Sequence, residues 1–391
     1  MSDHDDRPDG VRGGAAAAAP GGQGDRLAQD GTDARKRAML QTAFGPAIEA
    51  ALADPRVIEI MVNPDGVLRV DRLGDGRVDT LVRIEPDRTE RIIRLVASHA
   101  RSEAHAGRPI ISAELPSHGV GGGERFEGVL PPVATGPCFA IRKPAARVYR
   151  LDDYVADGIM PPEAARLLRS KVAQRCNILV VGGTSSGKTT LANALLAELA
   201  DHDERVVLIE DTRELRSPAP DTVALRTRPG CVSVADLVRS TMRLRPDRII
   251  VGEVRGPEAL EMLKAWNTGH PGGIATIHAN GAGAALHRLE SLVQEAVSAV
   301  PRRLIAEAID VVVFITGRGL DRRIAAIAQV DGIDPQSGEY RLAPLIEPPA
   351  ICGPAGFSNL AEQPDRETRP SSPNGPADPA PFQTPDPSKE K

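Results

Sequence analysis

The sequence predicts an α/β chain of two structured blocks between two disordered tails. A glycine-rich loop at 182–187 lies between a short apolar run (177–181) and a helix-forming run (190–199). Downstream, apolar strand candidates alternate with helical stretches, the pattern of a parallel sheet covered by helices. Composition then sets the tails apart: residues 1–35 are rich in Gly, Ala and Asp without periodic apolar positions, and 351–391 are Pro-rich and polar. Neither tail has the apolar content to offset the entropy of ordering, so both are expected to be disordered.

The first block, 36–148, reads as a small α/β domain. A helix is expected over 38–54, then strands over Val57–Val62 and 67–71 around the Asn63-Pro64-Asp65-Gly66 turn. Ile92, Val96 and Ala100 recur at i, i+4 and i+8, which predicts a second amphipathic helix. Residues 125–130 and Cys138–Arg142 read as further strands separated by a Pro-Pro loop. A linker is expected over 149–160, and the second α/β domain over 161–350. No internal repeat is visible.

Composition bounds the function classes. The chain has 391 residues and a net charge of −5, which argues against a protein that coats nucleic acid. No apolar run approaches the roughly 20 residues of a membrane span, and 311–315 is among the longest. Cys138, Cys176, Cys231 and Cys352 are far apart, without zinc or disulfide spacing. A cytoplasmic chain without an integral membrane segment is expected.

The chemistry begins at VVGGTSSGKTT, residues 180–190, which fits G-x-x-x-x-G-K-[ST] through Gly182, Gly187, Lys188 and Thr189. Gly183, Thr184, Ser185 and Ser186 form the rest of the loop, and Thr190 continues the helix. Glycines let backbone N–H groups close around phosphate oxygens, and the helix N-terminus adds orphan donors and a positive dipole end. In such loops the lysine, here Lys188, reaches the β- and γ-phosphates, and the hydroxyl of the following residue, here Thr189, ligates Mg²⁺. An ordinary Gly-rich turn before a helix is the competing reading, and the strand–loop–helix context argues against it. ATP and Mg²⁺ are the expected ligands.

Two acids extend the site. The apolar run 206–209 ends in Glu210, and the run 248–251 leads to Glu253. Ligands of open α/β sheets sit at strand carboxyl ends, where such acids organise a Mg²⁺ water shell or polarise an attacking water. Either glutamate alone is equally a surface acid; two of them closing strands downstream of the loop favour a site. Residues 268–280, TGHPGGIATIHAN, add His270 and His278, which are candidates to sense a γ-phosphate. Their spacing is not that of a helical metal pair.

These elements, in this order, resemble the four boxes of the type II/IV secretion ATPase superfamily. Gly182 to Thr189 is similar to its Walker A, IEDTREL (209–215) to its Asp box, Gly252-Glu253-Val254-Arg255 to its Walker B, and 268–279 to its His box. The first block resembles one branch, the TrbB-type conjugative-transfer ATPases, through LADPRVIEIMVNPDG (52–66), ERFEGVLPPV (124–133) and FAIRKPA (139–145). One departure is the glycine-rich stretch 118–123, longer than the family's loop there.

The resemblance implies a C-terminal RecA-like P-loop domain and a Mg²⁺-dependent ATPase. It implies a homo-hexameric motor, peripheral to the inner membrane through components of a type IV secretion or conjugation apparatus. Glu210 and Glu253 would share metal organisation and water activation, with the division open. Arg125 and Arg142 match arginines that relatives turn on the phosphates; Arg213 and Arg255 are alternatives across a subunit boundary. The cluster Arg239, Arg243, Arg245 and Arg248 would face a neighbour or nucleotide. A hinge is expected at 149–160. Two other readings stay open: the ATPase of a tight-adherence pilus, and a nucleotide-dependent scaffold with little turnover. Direct nucleic-acid binding is not expected, since aromatics make up only 3% of the chain.

Overall fold

The computed structural model describes residues 22–116, 123–144, 148–228 and 230–346. Residues 118–122 of the glycine-rich stretch and the C-terminal tail lie outside the described residues.

The N-terminal domain comprises helix α1 (Gly22–Ala53), strands β1 (Val57–Val62), β2 (Val67–Arg72) and β3 (Gly76–Arg83), helix α2 (Pro86–His99), and strands β4 (Ile110–Glu114), β5 (Arg125–Val129) and β6 (Cys138–Arg142). The strands form one sheet in the order β3-β2-β1-β6-β5-β4, every neighbouring pair antiparallel. The Asn63–Gly66 turn forms as expected: the Gly66 N–H donates to the Asn63 carbonyl at 2.9 Å, and the Asp65 carboxylate accepts the Val67 N–H at 2.9 Å. Phe44 and Ile48 of α1 and Ile92 and Val96 of α2 pack with Ile60, Val62, Phe126 and Ile141 of the sheet.

Helix α1 begins at Gly22, inside the stretch whose composition predicts disorder. The core-bearing part starts later, at Leu40, where apolar spacing places it.

The C-terminal domain runs α3 (Leu151–Ala156), α4 (Pro162–Ala173), β7 (Ile178–Val181), α5 (Lys188–Ala197), β8 (Arg205–Glu210), β9 (Asp221–Arg226), α6 (Val234–Thr241), β10 (Arg248–Val254), α7 (Glu258–Asn267), β11 (Ile274–Ile277), α8 (Ala282–Gln294), α9 (Arg302–Ala308), β12 (Val311–Thr316), β13 (Arg323–Ile333) and β14 (Tyr340–Ile346). Its eight-stranded sheet has the order β14-β13-β12-β7-β11-β10-β8-β9. Neighbours from β12 to β9 are parallel, and β13 and β14 extend the sheet antiparallel. The α/β class with a RecA-like C-terminal domain is thus borne out.

Strand pleating explains why β7 is apolar without a break. Leu179 and Val181 join the core layer of α6, α7, α8 and α9, while Ile178 and Val180 join the layer of α3, α4 and α5. A parallel strand covered on both faces has no polar side to present. Asn177 pins its amino end. Its side chain donates to the Ala308 carbonyl at 2.8 Å and accepts the Gly273 N–H at 2.9 Å, locking β7 between β11 and β12.

Two expectations change here. The stretch 149–160 is not a linker: α3 lies within it, and Leu151, Tyr154 and Met160 are buried in the C-terminal core. Three apolar side chains at 151, 154 and 160 supply enough burial to fold it onto α4 and α5, so the hinge expected there is not in this segment. Arg248, expected to face a neighbour or nucleotide, is 1% exposed. It is paired with Glu204 and donates to the Val172 carbonyl at 3.0 Å. It opens β10 at the amino edge, away from the strand ends where ligands bind.

Among the described residues no helix is long and apolar enough to cross a membrane. The burial of α3 is testable. Leu151→Ala should cost about 2–5 kcal/mol in denaturant unfolding, as for a buried leucine. A change within about 0.5 kcal/mol, typical of a surface position, would return the segment to a linker.

Candidate active site

The parallel strands β7, β8, β10 and β11 all deliver their carboxyl ends to one edge of the sheet, and each carries one sequence motif there. The loop after β7 holds positive φ at alternate residues, Ser185 (62°) and Gly187 (98°). That alternation turns successive N–H groups into a concave, anion-receptive nest. A side chain at 182 has no room: a Cβ there would lie 2.4 Å from the Ile315 carbonyl oxygen and 2.5 Å from Ser186 Oγ. Gly183, Thr184 and Ser185 are exposed, Ser186 is buried, and Thr189 and Thr190 are half-buried in the first turn of α5.

Lys188 opens α5 and is buried. Its ammonium donates to the Gly183 carbonyl at 3.1 Å and lies 3.2 and 3.3 Å from Nδ1 and Nε2 of His278. Burial pulls its pKa down to about 8, against the opposing charge of Glu253. His278 in turn sits with Nε2 2.7 Å from Glu253 Oε1. That oxygen lacks a hydrogen bond of good alignment, and the contact is an ion pair only when the ring is protonated. The ring's pKa is lowered, first by burial and then by Lys188.

The two glutamates occupy different environments. Burial pushes the Glu253 carboxyl up, but the hydrogen bond and charge of Arg255, with His278 and Lys188, outweigh it and leave the group below its ordinary value. Glu253 is therefore an ionised acid inside the cationic cluster. Glu210, at the end of β8, accepts the N–H groups of Glu214 and Leu215 at 2.9 and 2.8 Å and so shapes the turn that follows it. Burial raises it to about 7, with those two hydrogen bonds acting the other way.

The N-terminal sheet contributes next. Arg125 and Arg142 are cross-strand partners on β5 and β6. The Arg142 charge is among those that depress Lys188 and His278. Arg226 of β9 is paired with Glu114 of β4, a direct ion pair between the two sheets.

A model of the type II/IV secretion system protein family matches residues 91–325, a span that holds all four motifs. The chain belongs to this family. Among secretion-system relatives it is 49% identical over 295 residues to the conjugal transfer protein TrbB of Rhizobium radiobacter, covering 75% of this chain and 90% of that one. It is 48% identical over 305 residues to the probable conjugal transfer protein TrbB of Sinorhizobium fredii, covering 78% and 91%. The X-ray structure of the Legionella pneumophila ATPase DotB shares the fold, with a TM-score of 0.53 at 20% identity over 74% of this chain and 80% of that one.

In this secretion-system protein the structure brings together Lys188, Glu253 and His278, with Glu210 at the end of β8 on the same strand edge. His270 does not join them. It hydrogen-bonds through Nδ1 to the Ala265 carbonyl at 3.2 Å, on the turn before β11, whereas His278 follows that strand. A four-residue strand at about 3.3 Å per residue separates the two histidines onto opposite edges of the sheet. Arg255, considered for a subunit boundary, pairs with Glu253 of its own chain. Two groups escaped the sequence reading. Glu214 contributes to the field at Lys188 but stands in the 209–215 match without a role of its own there, and Arg322 packs against Gly187 with no pattern that marks it.

The raised Glu210 has a pH consequence. Its folded pKa lies above the ordinary 4.5, so folding favours the neutral acid. The stability this contributes is present below about pH 4.5 and is lost as pH rises through about 7. Melting temperatures across that window should fall more steeply in the wild type than in Glu210→Gln. Parallel curves would contradict the buried environment of Glu210.

Proposed function

We propose that this chain is an ATP-hydrolysing hexameric motor that powers conjugative type IV secretion. The observation that carries the proposal is the contact chain from Lys188 through His278 to Glu253, which joins the phosphate-loop, His-box and Walker B residues in one cluster.

In this reading the nest N–H groups and Lys188 hold the β- and γ-phosphates. A phosphate would draw the Lys188 ammonium from the Gly183 carbonyl, and its negative charge would offset the desolvation that lowers the lysine pKa. Among the described residues no group of three or more His, Cys, Asp or Glu is arranged to hold a metal. A Mg²⁺ accompanying the nucleotide phosphates would be held by Thr189, with Glu210 and Glu253 organising its water shell. Such an ion neutralises phosphate charge.

Glu253, ionised and beside His278, orients and polarises the attacking water. Glu210 holds the turn of residues 211–215 against the site and backs the metal shell. His278, touching both Lys188 and Glu253, reports the occupancy of the γ-phosphate position to the Walker B acid. Arg142 of the N-terminal domain neutralises charge on the transferred phosphoryl group, a role worth roughly 10³–10⁵-fold in other phosphate-loop enzymes. Nucleotide then bridges the two domains, and hydrolysis releases that bridge. The ring, its peripheral seat at the inner membrane and its secretion partners follow from the resemblance to conjugative ATPases.

The site assignment is tested by turnover. Lys188→Ala should reduce Mg²⁺-dependent ATP hydrolysis to background, and Arg142→Ala should lower kcat by roughly 10³-fold or more. Near-normal turnover in a folded Lys188→Ala protein would refute the site.

A further inference from the structure

The loop has two walls, and only one holds the residues described so far. Lys188 leans toward β11 and β10, where His278 follows β11 and Glu253 lies near the end of β10. The other neighbour of β7 is β12, and the turn that leaves β12 forms the second wall. The Ile315 carbonyl at the end of β12 is the group that leaves no room at Gly182. Arg322, at the end of the same turn, lies across the loop's last glycine. A Cβ on Gly187 would be 3.0 Å from Arg322 Nε and 3.1 Å from its Cζ.

This is a costly place for a guanidinium. Arginine is always charged, and Gly187 is the N-cap of α5, where the helix presents its positive end. The inward N–H groups of the nest and the Lys188 ammonium add to the same field. Yet among the described residues no carboxylate pairs with Arg322, and its Nε is buried without a hydrogen-bond partner. The hydroxyl of Tyr154, whose ring is fully buried, likewise has none. Elsewhere in the domain half-buried arginines are matched: Arg169 with Asp152 and Glu198, and Arg302 with Glu290. An unmatched cation beside a phosphate-binding nest is stable in the company of an anion.

We propose that Arg322 is a second fixed cation of the nucleotide site, holding the α-phosphate from the β12 side while Lys188 and Glu253 work on the γ-phosphate from the β11 side. The inference rests on the reading of the loop as an ATP site. It divides that site along β7, with the reacting end over β11 and β10 and the nucleoside end over β12. The α-phosphate is common to ATP and ADP, so Arg322 stabilises substrate and product alike and sets affinity rather than chemistry.

The test is calorimetric titration of the full chain with Mg-ATP and Mg-ADP, for the wild type, Arg322→Gln, Arg322→Lys and Lys188→Ala. Arg322→Gln should weaken ATP and ADP by the same factor, about ten- to hundredfold, as for loss of one charge-assisted hydrogen bond. Arg322→Lys should recover part of it, since lysine restores the charge without the planar fork. In steady state KM should rise with kcat little changed, the mark of uniform binding. The ligand-free melting temperature should hold or rise, because a cation leaves the positive end of α5. Unchanged affinity in Arg322→Gln would overturn the proposal while leaving the ATP site intact. So would a lowered ligand-free melting temperature that accounts for the loss. A wild type that binds neither nucleotide would remove the ATP reading and this inference together.

Discussion

Lys188 holds its ammonium inside the site, against one loop carbonyl and one imidazole, and the carboxyl edge of the sheet is organised around that charge. Burial brings its pKa to about 8, so the group keeps its proton near neutrality while losing much of its hydration. The positive end of α5 and the inward N–H groups lie in the same small volume, and an anion placed there meets fixed donors rather than reorganising water. Glu253 is held ionised, below the ordinary carboxylate value. It is held so by Arg255, His278 and Lys188 together, against its own burial. The acid and the lysine therefore depend on one another: removing either leaves the other a poorly compensated buried charge.

The sheet topology makes this cluster possible. Six parallel strands bring their carboxyl ends to one line, and β7 lies between β11 and β12, so groups arrive at the loop from both sides. The N-terminal sheet is coupled to the same edge by electrostatics and by contact. Arg142 acts on Lys188 and His278, and the pair Arg226–Glu114 joins β9 to β4. Residue 226 is the register partner of Glu210 across β8 and β9. Glu210 thus lies one strand pair and one ion pair from the N-terminal sheet.

Most of the site was legible in the sequence because it rests on residue types that few other environments require. The Gly182, Gly187 and Lys188 spacing encodes a backbone shape, and Glu210 and Glu253 each follow an apolar run that pleating must bury. The N-terminal strands β1, β2, β5 and β6 were legible from alternation. Strand β3 was not: nearly all its residues are exposed, and an edge strand with one polar face carries no apolar period. The segment 149–160 failed for the opposite reason. Its short apolar spacing spans a single helical turn and looks like a linker until the core that receives Leu151 and Tyr154 is known. His270 and His278 look equivalent in sequence, and only the strand between them shows that one lies off the site. Arg322 had no signal at all, since its meaning comes from the β12–β13 turn folding against Gly187.

The central claim is that these residues form the working site of an assembled ATPase. Steady-state hydrolysis measured across protein concentration, with mass determined by light scattering on the same samples, tests it most directly. The account predicts turnover that rises together with a shift to sixfold mass. Tight ATP binding with no turnover at any state of assembly would contradict it and leave a nucleotide-dependent scaffold.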